Sequence, residues 1–420
     1  MNKAKNIRGQ AVFVVGLQHG DEGKGKIVDL LTKDVFAVVR GNGGSNAGHT
    51  IVLRNGQILA LHQLPSGVTY PGKLNVIAHG VLVDPVRLVA EIKDARLKGI
   101  LIAPDSLAVS DMAHMVLPHH KVLDSAREAG KNAQGSTQAG IAYAASEKSL
   151  REGIRMEAIL RKTKEELAQI ALQRLNGADG AKKLAEKFAD AAVSLQPYIK
   201  DTPLVLNTVL DSGKDMLIEG AQAYGLDINH GKYPYTTSGG TTVPALIEGT
   251  GINPKRAGKV VGVAKATPSK VGGGSFVSKI EDGSIANSTR GKKGEIDGEY
   301  GATTGREREV GYLDLVLLKR AIQINGVDEI ALTKFDCLKR HGVATKIVVA
   351  YDLGGKKLLV PPNSDFGLSR CKPIFKEFPT WQDDSSKEAS AYLAYIENYL
   401  STPVGIVGNG PGRDQVIIRI

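Results

Sequence analysis

Cysteine is scarce in this 420-residue chain, Cys337 and Cys371 being the only two, so no disulfide framework is expected and a reducing, cytoplasmic setting fits. Either thiol reads as a plain buried side chain. Aromatic residues are also few, at 5%, and no segment interleaves them with basic side chains. That argues against a nucleic-acid partner in spite of a net charge of +10. The positive balance favours small phosphorylated ligands instead, because Lys24, Lys26, Arg306 and Arg308 sit beside glycine loops. The scattered lysines read as solvated surface charge. Long apolar runs are missing. The stretch behind the basic N-terminus NKAKNIRGQ is too short for a signal peptide or a span, so no membrane partner is expected. No fixed period recurs, which excludes collagen-like and solenoid chains, and no His, Cys and carboxylate set has zinc spacing.

What is abundant is glycine, 49 residues beside 42% hydrophobic ones, enough for a large core joined by many loops. In VFVVGLQHGDEGKGKIVDLL (12–31) an apolar strand runs into a glycine-crowded turn and then a helix. Such a turn cradles phosphate: backbone N–H groups converge, the helix N-terminus adds a positive dipole end, and Lys24 or Lys26 supplies a charge. Gly20 to Lys26 fits a Walker A spacing, but Ile27 stands where Ser or Thr would hold magnesium. Asp21 is the candidate ligand in its place, with a cap on the following helix as the alternative. A second glycine cluster, GNGGSNAGHT (41–50), follows the apolar strand at 36–39. Two strand-to-glycine-loop units this close predict loops that converge at one edge of a parallel sheet.

Short apolar runs at 74–85, 99–109, 215–222, 258–265 and 328–336 predict further buried strands, with helices at 85–97 and 313–323. Residues 151–199 predict almost continuous helix. Thr163 and Glu166 form a capping box there, and Leu167, Ile170, Ala171 and Leu175 a stripe for the core or a subunit interface. Residues 272–305 are glycine-rich and charged without a period, which predicts mobile loops ordered by substrate. No interdomain linker stands out. The expectation is one large α/β domain over 1–420, with a central, mostly parallel, P-loop-NTPase-like sheet, a helical insertion at about 151–200 and a mobile loop region at about 272–309.

Six blocks carry a resemblance: GLQHGDEGKGKIVDLL (16–31), GGSNAGHTIV (43–52), LPSGV (64–68), IEGAQAYGLDINHGKYPYTTS (218–238), GATTGRERE (301–309) and LTKFD (332–336). In this order, across nearly the whole chain, they resemble the adenylosuccinate synthetase family, GTP-dependent ligases of purine (AMP) biosynthesis that join L-aspartate to IMP. The resemblance implies a cytoplasmic homodimer with one Mg2+ per subunit. It makes Asp21 the base that takes the N1 proton, so that O6 attacks the γ-phosphorus of GTP and aspartate's amine then displaces phosphate from 6-phosphoryl-IMP. His49 becomes the acid opposite the departing diphosphate, Lys24 neutralises phosphate, and Mg2+ sits on Asp21 and the backbone oxygen of Gly48.

Around that centre the resemblance gives IMP the residues Asp21, Glu22, Gly23, Lys24, Asn46, Ala47, Gly48, His49, Thr137, Gln222, Thr237 and Arg306. Arg151 reaches the neighbouring subunit's site. GTP takes Gly20 through Lys26, namely Gly20, Asp21, Glu22, Gly23, Lys24, Gly25 and Lys26, together with Gly48, His49, Thr50 and Arg308. Its guanine end takes Lys334, Phe335, Asp336, Gly408, Asn409 and Gly410. Aspartate takes Ala302, Thr303, Thr304, Gly305, Arg306, Glu307 and Arg308. Alternatives stay open: Arg306 and Arg308 as surface ion pairs with Glu307 or Glu309, TKFD as an ordinary strand end, and His119 and His120 as packed or solvated histidines.

The chain also departs from the family. His19 replaces a Trp and Ser45 a His; GSTQAGIAYAA (135–145) stands for a pattern near GTTGRGIGPAY, so Gln138 and Ala139 replace Gly and Arg. SGGTT follows Thr237 in place of SSNTT, and GNGPGR (408–413) replaces STGPDR. These changes gather at the acceptor and nucleobase ends and spare the phosphoryl-transfer residues. Two alternatives follow: a divergent paralogue that ligates an amine to another 6-oxopurine nucleotide, and a non-catalytic GTP-binding module. Asp21 argues against paralogues that act on guanine-type nucleotides, which lack it; Thr304 and Arg306 argue against a pure switch.

Overall fold

The computed structural model describes residues 9–52, 56–130, 133, 135–295, 297–300, 305, 307–342 and 344–419. Its spine is a ten-stranded sheet. Along the chain its strands are β1 (Ala11–Gly16), β2 (Ala37–Arg40), β3 (Leu74–Ile77), β4 (Leu107–Ser110), β5 (Ile199–Lys200), β6 (Met216–Glu219), β7 (Ala257–Lys265), β8 (Glu329–Thr333), β9 (Val404–Gly408) and β10 (Val416–Ile418). In space they run β5-β4-β3-β2-β6-β1-β7-β8-β9-β10, parallel throughout except for β10 against β9. Both faces are covered, as a parallel sheet requires. Phe13 and Val15 of β1 therefore enter one core with Ile218 and Leu318, while Val14 enters another with Ile27, Val28 and Val261.

Helices α1 (Lys24–Thr32), α2 (Pro85–Leu97), α3 (Pro118–Glu128) and α4 (Ile141–Leu150) follow these strands. Asp21 does not cap α1: the cap is Gly23, left-handed at φ 84, with no side-chain bond. The run at 74–85 divides, because after β3 the segment Val81–Val83 pairs instead with Gly43–Gly44 and His114–Met115. The run at 99–109 yields only β4. Arg96 holds the carbonyl of Ile102 at 3.1 Å from Nε, and Pro104 starts a turn.

The helical region is a single helical turn at Ala158–Arg161 followed by α5 (Lys164–Leu175) and α6 (Ala181–Ser194), preceded by an irregular 151–157. The Thr163–Glu166 capping box forms, with Thr163 N–H donating to Glu166 Oε2 at 2.7 Å and Glu166 N–H to Thr163 Oγ1 at 3.2 Å. Leu167, Ala171 and Leu175 are buried against Phe188 and Leu195, so that stripe serves the core. Residues 272–305 are not all loop. They contain α7 (Gly283–Arg290), capped by Asp282, which accepts from Ser284 N–H at 2.9 Å and Ile285 N–H at 3.1 Å. Helix α8 (Leu315–Asn325) starts at the Asp314 cap, two residues later than the pattern predicts. Among the described residues no helix is long and apolar enough to cross a membrane.

Candidate active site

Since the strands are parallel, the loops after β1, β2, β6, β7 and β8 open at one edge, and the two glycine loops face each other across β6. A cleft of about 310 Å³ there is lined by His19, Gly20, Asp21, Lys24, Asn46, Ala47, Gly48, His49, Thr137, Gln222 and Thr237. Asp21 and His49, distant in sequence, thus share one cavity.

The glycine turn after β1 is self-braced. Glu22 folds back so that Oε1 accepts from Gln18 N–H at 3.2 Å and Gly20 N–H at 2.8 Å, while Oε2 takes Lys24 Nζ at 2.8 Å. Gly16 makes this possible, because a Cβ there would stand 2.5 Å from Glu22 Oε2 and 2.8 Å from the Gln222 carbonyl. Lys26 points elsewhere. Its ammonium donates to the carbonyls of Gly410 and Gln415 at 2.7 Å each, and burial lowers its pKa to about 8 against the opposing pull of Asp336. Of the two lysines, Lys24 is the one that lines the cleft. Asp21 is left-handed at φ 57, half-exposed, and its Oδ2 lies 2.7 Å from Arg308 Nη2.

His49 starts a hairpin strand, His49–Val52, that pairs with Ile58–Leu61. Its Nδ1 contacts Glu219 Oε1 at the end of β6, which assigns the proton to Nδ1 and leaves Nε2 for the cleft. Glu219 also accepts from Ser66 N–H at 2.8 Å, Ser66 Oγ at 2.7 Å and Arg40 Nη1 at 3.4 Å. Burial pushes the Glu219 carboxyl upward, yet His49 and Arg40 outweigh it and hold it at about 2. Burial first, then Arg40, lowers the His49 imidazole, with Glu219 opposing. Sequence reasoning missed Glu219, Arg40 and Ser66. The available signal was a charged residue closing each of two apolar strands, MLIE and AVVR.

Gln222, left-handed at φ 58, keeps both amide atoms buried without a partner among the described residues, and Asn46 Oδ1 is in the same condition. Orphaned buried polar atoms that line a cleft are what a polar ligand satisfies. The turn carrying Thr137 is tied to α3 by Asp124, which accepts from Ser136 Oγ at 2.7 Å and Gly140 N–H at 2.9 Å. Gln138 adopts φ 55 within it, a conformation that a Gly takes without cost. Ala139 packs with Leu82, Val116 and Ile141, so the lost arginine leaves an apolar contact. Gly240 accommodates Ala245, whose Cβ would be 2.5 Å from a Cβ at 240. Ser45 Oγ is buried without a partner among the described residues, and His19 meets Phe276 edge-on at 5.3 Å. Arg151 ends α4 as an exposed, left-handed cap and does not line its own chain's cleft.

A smaller pocket of about 140 Å³ adjoins, lined by Asp21, Glu22, Gly23, Lys26, Thr50, Lys334, Asp336 and Gly410. Asp21 belongs to both pockets. Phe335 departs from expectation: its ring lies 4.9 Å from Trp381 and is buried in the core, leaving Lys334 and Asp336 to face the pocket. Gly408 ends β9, and Asn409 N–H donates to the Gln415 carbonyl at 3.1 Å. Gly25 lies in α1 under His49. Arg308 does not pair with its neighbours, since Glu307 meets Arg290 and Glu309 meets Lys279; its partners are Asp21 and Glu299. Gly305 is described, whereas Ala302, Thr303, Thr304 and Arg306 lie outside the described residues.

The larger cleft offers oxygen donors of the kind a hard cation takes, although Asp21 Oδ2 is held by Arg308 at 2.7 Å, so a cation there would share or displace that guanidinium. The Asp21 carboxylate and the Gly48 backbone line the cleft together, and a Cβ built on Gly48 meets nothing within 4 Å. His119, His120 and Glu147 also come together, which spacing did not reveal. Glu147 meets His119 Nε2 at 2.7 Å, His120 Nε2 at 3.0 Å and Arg174, and Leu117 N–H donates to His120 Nδ1 at 3.0 Å, while His119 Nδ1 is buried without a partner among the described residues. That arrangement is a hydrogen-bonded brace between α3 and α4, and the guanidinium opposes a cation.

The family model described as adenylosuccinate synthetase matches residues 13–417. The adenylosuccinate synthetase of Caldicellulosiruptor bescii is 40% identical over 429 residues, covering 97% of this chain and 98% of that protein. Among solved structures, the fully ligated adenylosuccinate synthetase of Plasmodium falciparum superposes with a TM-score of 0.89 at 33% identity, over 98% of this chain and 100% of that one. The succinoaminodeoxyadenylate synthetase of cyanophage S-2L, bound to dGMP and dATP, has a TM-score of 0.65 at 21% identity, over 98% and 95%. At that identity the likeness concerns the fold alone.

Proposed function

This chain belongs to the adenylosuccinate synthetase family, and from that premise we propose that the cleft holding Asp21 and His49 is where IMP is activated by GTP and joined to L-aspartate. The chain is a ligase of purine biosynthesis, with GTP as co-substrate. The carrying observation is the convergence of a half-exposed carboxylate, an imidazole held by a buried carboxylate and a lysine on one cavity at the C-terminal edge of the sheet.

A purine 6-oxo group leaves poorly, so it must first become a phosphate ester. Asp21, within reach of a base edge in the cleft, takes the N1 proton and makes O6 nucleophilic. His49, with Nδ1–H held by Glu219, donates to the departing diphosphate from Nε2 when the ring is doubly protonated, the form that Glu219 favours, and Lys24 balances charge spread over the transferred group. Asp21 and the Gly48 carbonyl would hold Mg2+, which supplies a further positive charge opposite the phosphates. Gln222, Asn46, Thr137 and Thr237 take IMP; Thr50, Lys334, Asp336 and Gly410 take GTP; the segment with Thr304 and Arg306 takes aspartate. The exposed position of Arg151 suits a homodimer in which it completes a neighbouring site. Two unpaired cysteines suit the cytoplasm. The paralogue and switch readings draw no support from relatives at 40% identity that carry this family's name.

Purified protein given IMP, GTP, Mg2+ and L-aspartate is expected to develop the absorbance of a 6-amino-substituted purine. Asp21→Asn keeps shape but removes the base, so turnover should disappear while nucleotide binding persists. An unaltered rate in that variant rejects Asp21 as the base.

A further inference from the structure

Glu299, 1% exposed, touches Lys334, which lines the smaller pocket, and Arg308, which holds the Asp21 shared by both pockets. A rigid socket receives it. Lys265 Nζ lies 3.0 Å from each carboxylate oxygen, and Ser269 Oγ donates to Oε2 at 2.7 Å. Lys265 ends β7, and its backbone is bonded twice to the Gln18 amide: N–H to Oε1 at 2.8 Å, and carbonyl from Nε2 at 3.0 Å. The socket is thereby continuous with the glycine turn after β1.

Two more cations reach the same carboxylate from outside. Arg308 Nη1 stands at 3.1 Å, and Lys334 Nζ contacts Oε1. The other arm of Arg308 holds Asp21 Oδ2 at 2.7 Å, and Lys334 also donates to the Asp297 carbonyl at 2.7 Å. Backbone bonds fix the spacing, with Arg308 N–H donating to the Glu299 carbonyl at 3.0 Å and Glu299 N–H to the Arg290 carbonyl at 2.8 Å. Three cations in contact would repel in so dry a place; sharing one carboxylate lets them coexist.

We infer that Glu299 is a positioning residue that couples the nucleotide pocket to the acceptor base: through one carboxylate it sets Arg308 on Asp21 and Lys334 in the nucleotide pocket wall. The inference rests on the function proposed above. A nucleotide that engages Lys334 or Arg308 must share or displace a bond to Glu299, and the change is transmitted to Asp21. The reciprocal holds by linkage, so a purine nucleotide at Asp21 alters affinity for GTP.

The test uses Glu299→Gln, which keeps shape without charge, in the full chain. Because it strands the buried Lys265, the paired variant Lys265→Met with Glu299→Gln removes both charges and isolates the effect on Arg308 and Lys334. KM for GTP and for L-aspartate is measured beside calorimetric Kd values for IMP alone and for GTP with and without IMP. Both variants should raise KM for GTP and L-aspartate about tenfold or more and abolish the effect of IMP on GTP affinity. The Kd of IMP alone should stay unchanged. Unaltered KM values with only a lower melting temperature, or a paired variant that fails to fold, make Glu299 a structural ion and overturn the inference. Wild-type protein that forms no product overturns the ligase reading and the inference together; active wild type matched by its variants overturns the inference alone.

Discussion

A buried carboxylate beside an imidazole decides which ring nitrogen keeps the proton, and His49 has such a neighbour in Glu219. Four groups converge on that carboxylate, the His49 ring, the Arg40 guanidinium and two donors of Ser66, so its position is over-determined. Replacing it by Gln removes the negative charge that favours the doubly protonated ring, the form that can donate from Nε2 while Nδ1–H is held. Glu219→Gln is therefore expected to lower kcat by about 100-fold or more while leaving the Kd of IMP nearly intact. It also strands Arg40, fully buried, at a cost of about 3 kcal/mol in urea unfolding. Turnover equal to wild type in a folded variant would show that the ring needs no such brace.

At the scale of elements, the glycine turn after β1 depends on how closely three segments approach. β1 ends at Gly16, the Glu22 carboxylate returns to within hydrogen-bond reach, and the backbone after β6 passes beside both. Gly16→Ala places a methyl group where Glu22 Oε2 and the Gln222 carbonyl now lie, and neither is free to retreat. The expected result is a loss of about 1–3 kcal/mol in denaturant unfolding together with loss of GTP binding, since Lys24 shifts with Glu22. Binding unchanged by calorimetry would refute that packing argument. Elements of this kind were legible in the sequence. The apolar run into GDEGKGK announced β1, turn and α1, and the Thr163–Glu166 pair announced the start of α5. Helix α7 was not, because GSIANSTR is short and rich in residues that favour turns. Its stability comes from the Asp282 cap and from Ala286 packed against Tyr312, contacts that a local pattern does not contain.

The site as a whole was half legible for the same reason. Motifs named the loops, and the resemblance named Asp21, His49 and Lys24; Glu219, Arg40 and Glu299 matter only through partners far away in the chain. Folding also buries histidines whose burial no local pattern announced, and this sets a pH dependence for the entire molecule. Burial lowers His114, His120 and His341 to about 4 from an ordinary 6.5, aided by Lys148 at His114 and by His119 at His120, where Glu147 opposes. Their folded values lie below the unfolded value, so as pH falls through 6.5 the unfolded chain binds protons that the folded chain refuses. Stability is complete above 6.5 and drains away toward 4, at up to about 1.4 kcal/mol per pH unit for each such histidine. Below that, Glu219, held at about 2, continues the loss in the same direction. Urea midpoints measured from pH 7.5 to 4.5 should fall steadily, and His341→Leu, which removes one of these sites, should flatten the slope. A midpoint that holds level or rises on acidification would mean that these rings are solvated in the folded protein and that their surroundings open before they titrate.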